Sequence, residues 1–163
     1  MTDVIATTAE AAENAVLRRS GVAHCDPSVE TCEEKPLPEA IARKPAEQKS
    51  PAEWAYERVI LYIQNFEKQL DADHEVGMGF VGGDAGTMHV QGVGFFAPDL
   101  ITFYGVDGAG AKTQLVQHVS QLSVMLKAAP KIRETAARIG FDLAAQLAAD
   151  AAGGEGAAVE GGD

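Results

Sequence analysis

The chain has 163 residues, which is enough for one domain with its own hydrophobic core. It carries 24 acidic and 13 basic side chains, and its formal net charge of −11 opposes unspecific binding to nucleic acid or anionic lipid, which requires clustered Lys and Arg. No apolar run approaches the about 18 residues that a membrane-spanning helix needs, and the first residues lack the basic and apolar regions of a secretory signal. A cytoplasmic location is therefore the expectation.

Both ends of the chain are predicted to be disordered. Residues 1–49 form an acidic leader rich in Ala and Pro without any aromatic residue, and such a composition buries too little apolar surface to offset the entropy of ordering. Residues 146–163 form an acidic tail rich in Ala and Gly. Cys25 and Cys32 lie in the leader with too few neighbouring ligands for a metal site. The sequence predicts one globular domain over residues 50–145, without a metal or cofactor.

An amphipathic helix is predicted at the start of this domain. Ser50 is suited to cap it, Pro51 to occupy its first helical position, and Glu53 to complete a capping box. The helix is expected to reach about Leu70 and to place its charged residues in solvent, namely Glu57, Arg58, Glu67 and Lys68. Its apolar stripe recurs at three- to five-residue spacing and consists of Trp54, Val59, Tyr62, Ile63, Phe66 and Leu70.

The apolar stripe is broad for a helix that packs on one small sheet. A large apolar surface that remains uncovered typically marks an interaction site. Trp54, Tyr62 and Phe66 are therefore the candidate interface with a protein partner or with a second copy of the chain.

Short strands with glycine turns are predicted after the helix. The run at residues 100–106 is β-branched and aromatic, and a glycine turn separates it from an alternating run, as in a hairpin. Strands are expected at residues 75–81, 87–96, 100–106 and 113–119, whereas residues 120–126 fit either strand or helix. The fold class is α+β, mainly β: an N-terminal helix, then a strongly bent antiparallel sheet or an SH3- or Sm-like barrel of four to five strands. Residues 137–152 fit a strand, an Ala-rich helix or both.

One segment is similar to a phosphate-binding loop. In GVDGAGAKT, which begins at Gly105, Ala111 separates Gly110 from Lys112 and breaks the required spacing. The next segment alternates like a strand, so no helix N-terminus follows to hold a phosphate. We therefore interpret this segment as a hairpin turn.

The runs LITFYG and QLVQHVSQLS, together with HEVGMGFV and RIGF, carry a resemblance to a known family. Over about residues 53–142 the sequence resembles the bacterial family of unknown function DUF6173. The resemblance implies domain boundaries and no catalytic activity.

A second resemblance concerns the architecture. A helix followed by about five short strands, with a glycine turn before the fourth, is similar to the Sm-like barrels that include the RNA chaperone Hfq. That resemblance implies a ring with a base-binding site at Gln117 and His118, and Tyr104 as a further RNA contact. Gln117 replaces the lysine of the Sm-like pattern, and residues 51–150 hold 7 basic and 12 acidic side chains, so the charge disfavours RNA.

Catalysis requires polar groups that converge in a pocket. His74, His89 and His118 have no partner at motif spacing, and patterns such as HExxH and GxSxG do not occur. The main hypothesis is a non-enzymatic interaction module that associates with itself and with protein partners. The alternatives are an Sm-like RNA-binding protein and an enzyme that uses His89 or His118, which would require both histidines to meet a carboxylate in one cleft.

Overall fold

The computed structural model describes residues 20–80 and 86–153, except for the side chains of residues 46 and 151–153. The disorder predicted for residues 1–19 and 154–163 lies outside these ranges.

The chain divides into two compact units, Met1–Pro36 and Leu37–Asp163. In the described part of the first unit, Cys32–Glu34 form a 3-10 turn, and Cys25 and Cys32 are not joined by a disulfide.

The described part of the second unit contains three α-helices and five strands. The helices are α1 (Glu39–Ala42), α2 (Pro51–Glu67) and α3 (Ile139–Gly153). The strands are β1 (His74–Phe80), β2 (Thr87–Phe96), β3 (Leu100–Val106), β4 (Lys112–His118) and β5 (Val124–Pro130). No helix among the described residues combines the length and apolar character needed to cross a membrane.

The strands form one antiparallel sheet in the order β4-β3-β2-β1-β5. A bulge between Val90 and Gly92 shifts the register of β2 against β3. Since β4 and β5 are both edge strands, the sheet does not close, and the barrel that the sequence left open is not formed. The five-stranded antiparallel sheet of an α+β domain is confirmed.

The core lies between one face of the sheet and helices α2 and α3. Val76 and Met78 point to this face, as their alternation with glycines predicted, and Phe103 is the largest fully buried side chain. The buried members of the core are Ala55, Ile60, Ile63, Val76, Met78, Met88, Val90, Ile101, Phe103 and Leu143. The described helices pack on this face, and the opposite face of the sheet carries exposed side chains such as Tyr104 and Phe96.

Helix α2 begins where the sequence predicted. The hydroxyl of Ser50 accepts a hydrogen bond from the backbone N–H of Glu53 (3.2 Å), and the N–H of Ala52 donates to the carbonyl of Pro98 (3.0 Å). The second bond fixes the start of α2 on the turn between β2 and β3. The carboxylate of Glu53 lies 3.1 Å from the ammonium of Lys44 rather than completing a capping box.

The buried face of α2 differs from the predicted stripe. Small side chains, Ala52 and Ala55, face the sheet because they allow the backbone to approach it closely, and Trp54 and Tyr62 remain exposed. The prediction that Glu57 and Glu67 lie in solvent is wrong, since both are buried. The sequence prediction followed the spacing of large apolar residues. It therefore did not identify a helix face on which small residues allow close packing against the sheet.

Residues 37–49 have structure where the sequence predicted a disordered leader. Ile41 of α1 is buried, and the ammonium of Lys49 donates to its carbonyl oxygen (2.7 Å). The same ammonium lies 2.9 Å from the carboxylate of Glu57, and both side chains are almost inaccessible to solvent. One isoleucine and one buried ion pair thus order a segment whose composition is that of a linker.

The sequence did not decide between strand and helix in two segments, and the structure shows what each of them forms. Residues 120–126 contain the end of a 3-10 turn, Val119–Gln121, and the start of β5. Residues 139–153 form helix α3 and no strand. Gly140 permits its docking, because a Cβ at this position would lie 2.8 Å from the Cα of Gln64 on α2.

Candidate functional site

The two faces of the sheet offer two candidate sites. The first, called the apolar groove, has a volume of about 460 Å³ and lies between α2 and β5 on the helix-covered face. Its lining residues are Trp54, Ala55, Arg58, Val59, Tyr62, Leu122, Val124 and Leu126.

The apolar groove exists because the helices do not reach the edge of the sheet. Val124 and Leu126 pair with Phe80 and Met78 of β1 and therefore point to the helix-covered face. Both side chains are only partly buried. An unfilled apolar surface thus continues the core out to the sheet edge.

The helix side of the apolar groove combines aromatic rings with a cation. Trp54 is 45% exposed and Tyr62 is 43% exposed. The guanidinium of Arg58 lies 4.7 Å from the centre of the Trp54 ring, the geometry of a cation–π contact. This contact holds a positive charge at the rim of the groove.

Strand β5 borders the apolar groove and is the edge of the sheet. Its inner side pairs with β1 along seven residue pairs, from His74 with Pro130 to Phe80 with Val124. Its outer side pairs with no described strand. Edge strands with free backbone groups are templates for pairing with another chain.

The second site, called the polar cleft, lies on the opposite face of the sheet and has a volume of about 530 Å³. Its lining residues are Gly86, Thr87, His89, Asp107, Gly108, Ala109, Lys127, Ala128, Ala129 and Pro130. The turn between β3 and β4 forms one wall, where the carboxylate of Asp107 accepts hydrogen bonds from Ala109 and Ala111 (both 2.9 Å). This confirms the hairpin turn predicted in place of a phosphate-binding loop.

His89 is held in the polar cleft by a buried carboxylate. Its Nδ1 lies 2.7 Å from Oε1 of Glu75, which is only 4% exposed. The other oxygen of Glu75 accepts the backbone N–H of Ala137 (2.9 Å). Because the carboxylate of Glu75 is a hydrogen-bond acceptor, Nδ1 of His89 carries a proton. The other ring nitrogen, Nε2, is therefore available to a ligand.

His118 lies elsewhere and contacts a different carboxylate. Its Nδ1 accepts the backbone N–H of Ser120 (3.1 Å) and lies 2.7 Å from the Ser120 hydroxyl, and its Nε2 is 3.0 Å from the carboxylate of Asp99. The order hydroxyl, imidazole, carboxylate is that of a catalytic triad. Here the ring acts as the cap of the 3-10 turn that contains Ser120, and neither the polar cleft nor the apolar groove includes these residues.

The predicted RNA contacts do not share one surface. Tyr104 and His118 lie on the exposed face of the sheet, opposite Gln114 and Leu100, respectively. Gln117 pairs with the buried Ile101 and points to the other face, where its amide donates to the carbonyl of Gln121 (3.3 Å). The structure therefore separates Gln117 from the other two residues.

Two of the three predicted interface residues line the apolar groove. Trp54 and Tyr62 do so, whereas Phe66 packs against the core. The residues that sequence reasoning missed are Arg58 and Lys127. Arg58 follows Trp54 at a spacing of four residues, which is the only signal that could have indicated its position over the ring.

A family model described as a family of unknown function, DUF6173, matches residues 47–142. The match begins just before α2 and includes all five strands, so it spans the sheet, the apolar groove and the polar cleft. No curated protein and no solved structure gives a significant match to the chain. Because the matched region is more than half of the sequence, the chain belongs to the family of unknown function DUF6173.

Proposed function

We propose that this protein is a non-enzymatic interaction module that binds an extended segment of a protein partner along β5. One observation carries the proposal: the apolar groove is continuous with an unpaired strand edge. Strand addition uses backbone hydrogen bonds for affinity and side-chain pockets for specificity, and this edge provides both.

The apolar groove defines the chemistry of the segment. Alternate residues of a strand added to β5 continue the row of Val124 and Leu126, so every second residue should be aliphatic or aromatic. The rim charge of Arg58 favours an acidic residue in the same segment. Each apolar side chain that becomes fully buried contributes about 1.5–3 kcal/mol, so the loss of one weakens binding about 10- to 100-fold.

A second copy of the chain is one partner of this kind. Strand β4 is the other open edge of the same sheet and alternates between exposed and half-buried side chains. Pairing of β4 in one copy with β5 in the next is a heterologous contact, which closes into a ring or continues as a filament. Light scattering on the full chain at two salt concentrations tests this, with a discrete oligomer expected.

A matched pair of variants tests the site itself. Leu126→Lys places a charge in the apolar groove, whereas Met125→Lys places it on the same strand but on the opposite face, where Met125 is already exposed. We expect Leu126→Lys to abolish oligomers and to abolish binding of peptides selected from a random library, and Met125→Lys to leave both unchanged. Arg58→Glu provides a second test that leaves the core untouched, with loss of acidic peptides expected.

Two results would contradict the proposal. Equal effects of Leu126→Lys and Met125→Lys would show that the groove does not contribute. A strict monomer for which no peptide can be selected would remove the proposed interaction altogether.

RNA binding is a second candidate because aromatic rings are exposed on the uncovered sheet face. Tyr104 lies over Gly92 and Gly94, since a Cβ at either glycine would meet its ring at 3.5–3.6 Å, and Phe96 on the same face is 74% exposed. Exposed rings on a sheet stack unpaired bases. Filter binding with uridine-rich and adenine-rich RNA at low salt tests it, and a Tyr104→Leu variant should lose the binding. No retention of either RNA at micromolar protein would reject it.

A further inference from the structure

The polar cleft contains a histidine whose position is fixed by a buried carboxylate. The side chain of His89 is only 12% exposed, and Glu75 accepts one hydrogen bond from its ring and one from the backbone of Ala137. Both oxygens of Glu75 are therefore used, and the ring is tied to β1 and to the segment that leads into α3. Its free nitrogen, Nε2, has no hydrogen-bond partner among the described residues and belongs to a residue that lines the cleft.

A lysine lies on the other side of β1 from His89. In the register of the sheet, Gly77 of β1 is opposite His89 on β2 and opposite Lys127 on β5. His89 and Lys127 therefore point to the same face, about two strand spacings or 10 Å apart. Lys127 is exposed and forms no ion pair with the described part of the chain.

The surface of the sheet between His89 and Lys127 carries only small side chains near Gly77. Gly77 has no side chain, and the methyl groups of Thr87 and Ala129 lie 2.5 Å and 2.9 Å from where its Cβ would be. The cleft volume of about 530 Å³ is within the usual range for small-molecule sites.

The two carboxylates at the cleft already accept hydrogen bonds from the chain. Asp107 accepts two backbone N–H groups with one oxygen, and Glu75 is engaged with His89 and Ala137. The donors available to a ligand include the ammonium of Lys127 and Nε2 of His89, which donates when the ring is protonated. These two donors match the acceptor atoms of an oxyanion.

We propose that the polar cleft binds a small molecule through a phosphate or carboxylate group. Lys127 supplies the charge, and Nε2–H of His89 donates to an oxygen of the anion. Glu75 is a positioning residue that holds the ring with Nδ1–H towards itself. This site is independent of the apolar groove, which lies on the other face of the sheet.

Amide chemical shifts of the full chain, followed by two-dimensional NMR, test the proposal. The probes are inorganic phosphate and, in a second arm, acetate, each added at constant ionic strength with chloride as the replaced ion. We expect saturable shifts confined to the cleft, at Thr87, His89, Asp107 and Lys127. The anion whose shifts saturate at the lower concentration, phosphate or acetate, shows which of the two groups the cleft prefers.

Matched variants test the lysine donor and the positioning role of Glu75. Lys127→Met should weaken the binding about tenfold, whereas Lys112→Met removes a lysine from the same sheet face but outside the cleft and should leave it unchanged. Glu75→Gln keeps the shape of the side chain, and its effect on the ¹⁵N shifts of the His89 ring reports the positioning role separately from folding.

Three outcomes would overturn the proposal. They are shifts that do not saturate with either probe, shifts spread over the surface, and equal weakening by Lys127→Met and Lys112→Met. Because Lys127 is exposed, its variant remains informative even if substitutions of Glu75 or His89 prevent folding.

Discussion

Three glutamates are buried in the described part of the second unit, and each accepts hydrogen bonds from a different segment. Glu57 pairs with a lysine before α2, Glu67 accepts backbone N–H groups at the start of α3, and Glu75 joins a histidine to the segment before α3. A buried carboxylate without such partners would cost several kcal/mol. These residues therefore tie neighbouring segments of the chain to the central helix and sheet.

We predict that Glu67→Gln destabilises the protein by about 1–2 kcal/mol. The carboxylate of Glu67 lies 2.9 Å from the N–H of Gly140 and 3.3 Å from that of Phe141, so it caps α3 and interacts with the positive end of its dipole. The glutamine keeps one acceptor and loses the charge. Urea unfolding measures the change, with the exposed Glu134→Gln as a control, and equal midpoints for both variants would contradict the capping role.

A serine-directed probe tests whether the group of Ser120, His118 and Asp99 is catalytic. We expect that a fluorophosphonate probe does not label the protein, because the hydrogen bonds of Ser120 to His118 are those of a turn cap on an exposed surface. Mass spectrometry measures whether the protein has gained the mass of the probe. Labelling that disappears in Ser120→Ala and on heat denaturation would instead identify the Ser120, His118 and Asp99 group as a catalytic triad.

At the scale of elements, close contact between β2 and β3 depends on one glycine. A Cβ at Gly105 would collide with the carbonyl oxygen of His89 and lie 2.8 Å from a side-chain carbon of Met88. The two strands could then not keep their pairing distance. The polar cleft is affected too, because the carbonyl oxygen in this contact belongs to His89, which lines the cleft.

We therefore expect Gly105→Ala to reduce the free energy of unfolding by about 1–3 kcal/mol or to prevent folding. Gly108→Ala is the matched control, because the turn at Gly108 has no atom near the added methyl group and its stability should change by less than about 0.5 kcal/mol. Thermal unfolding by circular dichroism compares the two variants. Equal stability of both would contradict the close approach of the strands.

At the scale of the whole molecule, the boundary of the folded unit lies before the first predicted helix. The second unit begins at Leu37 and includes the buried Ile41 and the buried pair of Lys49 with Glu57. A chain that begins at Ser50 keeps Glu57 but loses its lysine partner. An unpaired buried carboxylate is among the most costly defects in a core.

A comparison of two truncated chains tests this boundary. We expect residues 50–163 to be less stable than residues 37–163 by about 3–5 kcal/mol, and Glu57→Leu to recover part of the loss in the shorter chain. Urea unfolding of both fragments gives the difference. Equal stability would show that α1 and Lys49 do not belong to the folded unit.

The amino-acid sequence alone determined those features that arise from neighbouring residues. Ser50 and Pro51 predicted the start of α2, and the alternation of Val76 and Met78 with glycines predicted the buried face of β1. The glycine turn after Asp107 was predicted from the freedom of Gly110, which adopts a φ of 83°. The membership in DUF6173 was also evident in the sequence, since it rests on runs of adjacent residues.

Only the tertiary structure decided the features that depend on residues far apart in the chain. The sheet is open, with β4 and β5 at its edges. The sequence could not predict this, because strand order depends on packing between distant residues and not on local propensity. The bond between Glu75 and His89 joins two strands, and the Arg58 contact with Trp54 lies beside an apolar groove that β5 completes. Charged residues look solvent-exposed in a sequence, and only the fold supplies the partners that allow Glu57, Glu67 and Glu75 to be buried.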